Sequence, residues 1–282
     1  MGKIHDALEK SLQDRETTVH TTKGSVVDFY DKTGKSREQE DAPNTMTFDG
    51  NIDKNLVTLL NPRSIESEMF KILRGNILFP ASGKPPRSIL VTSAVPGEGK
   101  SFVATNLAVS IAQNINEHVF LMDGDIRKPS VHRSLGLGDV PGLAEYLADD
   151  VTLESLLVRT QVKKLTILPG GRPPHNPAEL LSSQKMSALL KEVRERYGDR
   201  YVIIDSPPPQ LTAETSAIAR QVDGIIIVLK YGSTPREMVE DLVETLGKEK
   251  IIGCVMNWFD LSLSTYYGYG KYGKYGKYYN TQ

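Results

Sequence analysis

Ser88-Ile89-Leu90-Val91-Thr92-Ser93-Ala94-Val95-Pro96-Gly97-Glu98-Gly99-Lys100-Ser101 is the stretch that decides the fold. An apolar run ends in a glycine-rich turn, and helical spacing begins at Ser101. The turn matches the phosphate-binding loop pattern, with Ala94 in the place of the first glycine. Glycines let the backbone curl so that successive N–H groups point inward at phosphate oxygens. The helix that follows adds the partial positive charge of its N-terminus. The expected nucleotide cradle is therefore Val95, Pro96, Gly97, Glu98, Gly99, Lys100, Ser101 and Phe102. Lys100 is placed to bridge the β- and γ-phosphates of ATP, and the Ser101 hydroxyl to ligate Mg2+.

On both sides of this loop, apolar runs alternate with helical patterns. Strands are expected at Ser88–Ser93, Val119–Asp123, Leu165–Pro169, Tyr201–Asp205, Gly224–Lys230 and Ile251–Asn257. Helices are expected at Ser64–Phe79, Ser101–Gln113, Pro177–Tyr197, Ala213–Gln221 and Pro235–Gly247. A run such as Ile225-Ile226-Ile227-Val228-Leu229 has no polar face. It belongs in a strand buried on both sides, hence in a mainly parallel sheet flanked by helices, an α/β P-loop NTPase fold. Ligands of such sheets bind at the carboxyl ends of the strands.

Two of those ends carry acids. Phe120-Leu121-Met122-Asp123-Gly124-Asp125-Ile126-Arg127 closes one strand, and Val202-Ile203-Ile204-Asp205-Ser206 closes another. Asp205 is expected to orient Mg2+ through water, although an Asp at a strand end also serves as a helix cap. The Asp123/Asp125 pair supplies a candidate base near the γ-phosphate, able to take a proton from an attacking hydroxyl. Arg127 would neutralise phosphate charge or pair with the carboxylates.

With 282 residues, 39% hydrophobic and 24% charged, the chain holds one large domain plus tails. A net charge of −1 gives no global field toward nucleic acid or anionic membrane. The single cysteine, Cys254, excludes a disulfide framework and a multi-cysteine metal site within one chain. Met1-Gly2-Lys3-Ile4-His5-Asp6 lacks the apolar stretch of a signal peptide, and no run reaches membrane-span length. The reading is a cytoplasmic protein that a partner holds at the membrane.

Residues 1–50 read as an N-terminal extension with a short amphipathic helix at Ile4, Ala7 and Leu8, then a linker from Gln13 through Asn51. The folded domain is expected over 60–262. A flexible low-complexity tail is expected over 263–282, built mainly of Tyr, Gly and Lys. Seven of the twelve tyrosines lie here: Tyr266, Tyr267, Tyr269, Tyr272, Tyr275, Tyr278 and Tyr279. Glycines separate them and no other large apolar residue accompanies them, so they suit threading into an active site. A sticky unmodified tail and a strap for nucleic acid are the alternatives.

These residues together resemble the bacterial tyrosine kinases of polysaccharide export. The resemblance covers roughly residues 60–282. It rests on Ser93–Ser101 as Walker A, Val119–Arg127 as the additional Walker A′, Val202–Asp205 as Walker B, and the terminal tyrosines. It implies an ATP- and Mg2+-dependent autokinase whose Lys100 and Ser101 bind the nucleotide and metal. Asp123 and Asp125 would act at the metal and as base, and the tail tyrosines would be phosphorylated between neighbouring subunits. Asn257 falls where related ATPases contact adenine. The family's ring-assembly motif, Glu-x2-Arg-x2-Arg, appears as Glu68, Lys71 and Arg74. Lys71 there keeps the charge but loses the planar two-pronged hydrogen bonding of Arg. The resemblance also implies a separate transmembrane activator of the polysaccharide co-polymerase type and an opposing phosphotyrosine phosphatase. The rivals are a ParA/MinD-like ATPase, whose extra lysine would stand at Val95, an iron–sulfur carrier, and a nucleotide-binding regulatory scaffold.

Overall fold

Successive side chains of a strand point to opposite faces of its sheet, so an unbroken apolar strand needs cover on both sides. The computed structural model describes residues 51–196, 200–209 and 213–259 and supplies that cover. In chain order the elements are α1 (Val57–Leu60), α2 (Ile65–Leu78), β1 (Ser88–Ser93), α3 (Lys100–Ala112), β2 (His118–Asp123), α4 (Val131–Ser134), α5 (Leu143–Ala148), α6 (Leu153–Leu156) and β3 (Val158–Arg159). They continue with β4 (Leu165–Leu168), α7 (Pro177–Leu181), α8 (Gln184–Arg196), β5 (Arg200–Asp205), α9 (Ala213–Ala219), β6 (Gly224–Lys230), α10 (Arg236–Leu246) and β7 (Ile251–Asn257). Among the described residues the strands form one seven-stranded sheet in the order β3-β4-β2-β5-β1-β6-β7. Every pairing is parallel except that of β3 with β4.

The alternation divides the core in two. Ile89, Val91, Val119, Leu121, Ile203, Ile226 and Val228 face one layer, against Phe70, Ile77, Val103, Leu107 and Ile111 of α2 and α3. Leu90, Phe120, Met122, Ile204, Ile225 and Ile227 face the other, against Leu143, Leu181, Met186, Leu189, Leu242 and Leu246. Helix α3 lies so deep that every residue from Val103 to Ala112 is buried. It therefore carries little amphipathic signal. The one large polar side chain within that buried stretch, Asn106, is fully bonded. Its Oδ1 accepts the Thr58 N–H and hydroxyl, each at 3.0 Å, and its Nδ2 donates to the Asn55 and Phe102 carbonyls, each at 3.0 Å. These bonds pin the segment before α2 onto the helix that starts at the glycine-rich loop.

The expected strands agree with the observed ones to within one residue at each end. The single helix expected at Pro177–Tyr197 is two helices, because the Ser183 hydroxyl accepts the Met186 N–H at 3.2 Å and caps a new start. The short elements α1, α4, α5, α6 and β3 were not expected; four to six residues, or two, are too few for a periodicity to show. The N-terminal helix around Ile4, residues 1–50 generally, and the tyrosine cluster lie outside the described residues. Among the described residues, no helix is long and apolar enough to cross a membrane.

Candidate active site

Strand β1 runs between β5 and β6, and β5 runs between β1 and β2, all parallel. Three carboxyl ends therefore meet, although the strands are far apart in sequence. The register sets Asp205 beside Val91 on one side and beside Asp123 on the other. Gly124 welds the β2 end to β5. Its N–H donates to the Asp205 carbonyl at 2.8 Å, and a Cβ there would come within 2.7 Å of that oxygen.

The glycine-rich loop leaves β1 and enters α3. Gly97 and Gly99 take φ of 83° and 88°, the left-handed region that a side chain resists. Gly99 is the residue before the helix, and a Cβ on it would meet the Asn257 amide nitrogen at 2.1 Å. Lys100 opens α3 and sets its ammonium 3.3 Å from Asp125 Oδ2, both side chains nearly buried. Asp125 Oδ1 accepts the Lys128 N–H at 3.2 Å. Asp123 is completely buried and holds three amides: those of Ser130 and Val131 on Oδ2, at 2.9 and 3.0 Å, and that of Asp125 on Oδ1, at 3.2 Å. The Gly170 backbone packs against it, since a Cβ there would lie 3.3 Å from the Asp123 carboxyl carbon and 2.6 Å from Pro129. The loop Gly170-Gly171-Arg172-Pro173-Pro174-His175-Asn176-Pro177 thus walls the acid pair, with His175 exposed.

Asp205 is also completely buried, and neither of its oxygens has a hydrogen-bond partner. A bare buried carboxyl is costly. Burial pushes Asp205 up to about 6, while the nearby Lys100 ammonium, the Ser101 hydroxyl and the Ser206 amide pull the other way without completing a hydrogen bond on it. Burial, then the Asp205 charge, push Asp123 up to about 8 against its own amide bonds. An unsatisfied acid beside a phosphate loop fits the outer shell of a hydrated Mg2+, which takes few direct protein ligands. Among the described residues, no three Asp, Glu, His or Cys side chains converge into a ready metal cluster. The site therefore suits a metal whose other ligands are phosphate oxygens and water.

The raised values predict a pH effect on stability. The folded state holds protons that the unfolded chain, with Asp near 3.8, releases. Stability is then greatest below the unfolded value and falls as pH rises through about 6 and on toward 8. Asp205→Asn removes one of these buried charges. Without Mg2+ and nucleotide it is expected to melt roughly 5 °C above the parent at pH 7.5, and level with it at pH 4. Thermal melts across that range check this; a variant less stable at pH 7.5 would contradict it.

The other expected residues are placed as follows. Arg127 is exposed on the loop after β2. Asn257 ends β7, and its side chain donates to the Glu98 carbonyl at 2.8 Å, so it grips the loop. Trp258 and Phe259, which follow Asn257, are 64% and 41% exposed. Lys230 Nζ lies 5.1 Å over the Trp258 ring, and Phe259 meets Tyr231 edge-on at 4.8 Å. Glu68 and Lys71 pair with each other at 2.6 Å on α2, and Arg74 donates to the Ser110 carbonyl at 2.7 Å, all away from the acids. Reading the sequence missed Thr234 and the side chain of Glu98, which meet only through folding.

The comparisons agree with this geometry. A family model described as the ParA-type NUBPL iron-transfer P-loop NTPase matches residues 85–259. The tyrosine-protein kinase YwqD of Bacillus subtilis is 37% identical over 220 residues, covering 77% of this chain and 92% of that protein. The succinoglycan biosynthesis transport protein ExoP of Rhizobium meliloti is 31% identical over 260 residues, covering 90% of this chain and 31% of that longer protein. Among solved structures, the kinase domain of the Escherichia coli tyrosine kinase ETK superposes with a TM-score of 0.66 at 27% identity, covering 72% of this chain and 79% of that one. A nucleotide loop of this kind, with acids at the two neighbouring strand ends, is what a phosphoryl-transfer enzyme on this fold needs. The chain belongs to the bacterial protein-tyrosine kinases built on the ParA-type P-loop NTPase fold.

Proposed function

We propose that this kinase spends ATP, with Mg2+, on tyrosines of its own terminal cluster, Tyr266 to Tyr279, and that a neighbouring copy's tail is the substrate. The observation that carries the reading is the convergence of Lys100, Asp123, Asp125 and Asp205 at adjacent strand ends, in a chain that closes with seven tyrosines. Lys100 leaves Asp125 for the β- and γ-phosphate oxygens. The Ser101 hydroxyl, with Asp205 and Asp123 beside it, would hold Mg2+. Bound Mg2+ supplies charge neutralisation on the phosphate oxygens. The phenol proton passes to the Asp123/Asp125 pair as the phenol oxygen bonds phosphorus and the bond to ADP oxygen breaks. Asp123, whose affinity for protons is raised by burial and the Asp205 charge, suits that transfer. Arg127, on the open side of the same loop, meets the developing charge.

Incubating the full chain with labelled ATP and Mg2+ tests this. Label on tyrosine is expected. Free phosphate without phosphotyrosine would favour a ParA/MinD-like ATPase, and neither product a nucleotide-binding scaffold.

The setting is polysaccharide synthesis and export, as the name of the ExoP relative suggests. A transmembrane activator of the co-polymerase type brings the kinase to the inner face of the membrane, and a phosphotyrosine phosphatase reverses it. Self-assembly into a ring uses α2. Beside Glu68, Lys71 and Arg74, that helix exposes Ile65, Met69 and Ile72 at 41%, 39% and 51%, an apolar stripe at helical spacing. Ile72→Asp is expected to reduce the assembly to monomers by light scattering, with an unchanged melting midpoint. An assembly of unchanged mass would remove α2 from the interface.

A further inference from the structure

The glycine-rich loop does not hold its shape alone. Glu98 sits at its crest, only 1% exposed, and its carboxyl group faces the protein rather than the phosphate side. One oxygen, Oε2, accepts the Val95 N–H at 3.0 Å and closes the loop on itself. The other, Oε1, receives the Thr234 hydroxyl and the more distant Lys230 N–H at 3.4 Å. Thr234 Oγ1 also accepts the Lys230 N–H at 2.9 Å, so the turn after β6 is tied to itself and to the loop. From β7, Asn257 Nδ2 donates to the Glu98 carbonyl at 2.8 Å and occupies the space a side chain on Gly99 would need. The Tyr231 N–H donates to the Asn257 carbonyl at 2.9 Å and joins the two outer parts.

A loop with two glycines at positive φ has many conformations to lose when phosphate binds. Fixing it beforehand removes that cost from binding. Val95 N–H, held by Glu98, is also kept from turning out of register with the amides that follow. We propose that Glu98, Thr234 and Asn257 form a clasp that pre-shapes the phosphate loop, and that the Glu98 carboxyl and Thr234 hydroxyl are positioning residues for nucleotide affinity. They touch neither phosphate nor tyrosine and act through the backbone amides of residues 97–101. This deepens the nucleotide-binding part of the reading above.

The test is nucleotide binding by the full chain, followed with a fluorescent ADP analogue and Mg2+, alongside KM for ATP and kcat. Thr234→Val keeps the shape and removes the hydroxyl. It is expected to weaken ADP binding and raise KM roughly 10-fold, with kcat within about twofold, and Thr234→Ser is expected to restore both. Glu98→Gln turns one acceptor into a donor facing donors and is expected to weaken binding at least as much. The double variant should be no worse than Glu98→Gln alone, since both break one contact. Parent-like ADP affinity in Thr234→Val, failure of Thr234→Ser to rescue, additive losses, or a fall in kcat at unchanged KM would each overturn the clasp. Should Thr234→Val fail to fold, Glu98→Gln against Thr234→Ser decides by the same readouts. ADP binding needs no tyrosine, so a failure of the kinase reading leaves this measurement intact.

Discussion

Replacing Lys100 with Met is expected to lower phosphotyrosine formation by about 10²- to 10³-fold, the usual effect of removing one charged donor from a buried phosphoryl site. The expectation rests on more than the motif. Lys100 is the cation 3.3 Å from Asp125, and it is one of the groups that oppose the raised proton affinity of Asp205. Without it, three acids share a buried corner with no ammonium among them. The charge that would meet the β- and γ-phosphates is lost as well. Lys100→Arg should not rescue, because a planar guanidinium cannot take the place of a compact ammonium within that corner. Labelling with ATP and Mg2+ measures this directly. A Lys100→Met chain that labels like the parent would mean that the site lies elsewhere.

The second large effect concerns the substrate. Changing Tyr266, Tyr267, Tyr269, Tyr272, Tyr275, Tyr278 and Tyr279 together to Phe keeps the rings and removes the acceptor hydroxyls. Anti-phosphotyrosine signal is expected to vanish, while phosphorylation of an added tyrosine peptide persists. The folded part offers poor competition. Tyr201 is 2% exposed beneath the Arg87 guanidinium, 4.6 Å from its ring centre. Tyr146 is half-buried under Lys185. Among the described tyrosines only Tyr231 stands open, at 48% exposure; a full residual signal, whether at Tyr231, Tyr30 or Tyr197, would sink the tail assignment. Each phosphate adds about −1.5 to −2 in charge. Several would turn a tail whose charged residues are Lys271, Lys274 and Lys277 strongly acidic, and that reversal is expected to loosen contacts between copies.

Much of this was legible in the chain. The strands were visible because both faces of the sheet are covered, so Ile225 to Leu229 could be nothing but apolar. The phosphate loop was visible because its glycines, lysine and serine are contiguous. Asp123, Asp125 and Asp205 stood out because each follows such a strand. What stayed hidden was local or remote in kind. The break at Ser183 depends on one hydroxyl outcompeting a helical continuation. Helix α3 has no polar face to show which neighbours cover it. Asn257 was read toward adenine, and nothing in the sequence showed that its Nδ2 also donates to the Glu98 carbonyl.

The opening stretch by itself determined a strand, a phosphate loop and a helix, because glycine stereochemistry and the run of apolar side chains act over a few residues. It determined nothing about which acids would stand beside the loop. That was decided by the strand order β2-β5-β1, which brings Asp123 level with Asp205 and sets Asp205 near Lys100. Strand order is a property of how helices cross over a twisted sheet, and no single segment encodes it. The same holds for the loop's rigidity. Glu98 looks like any exposed acid in the motif until Thr234 and Asn257, more than 130 residues away, close over it.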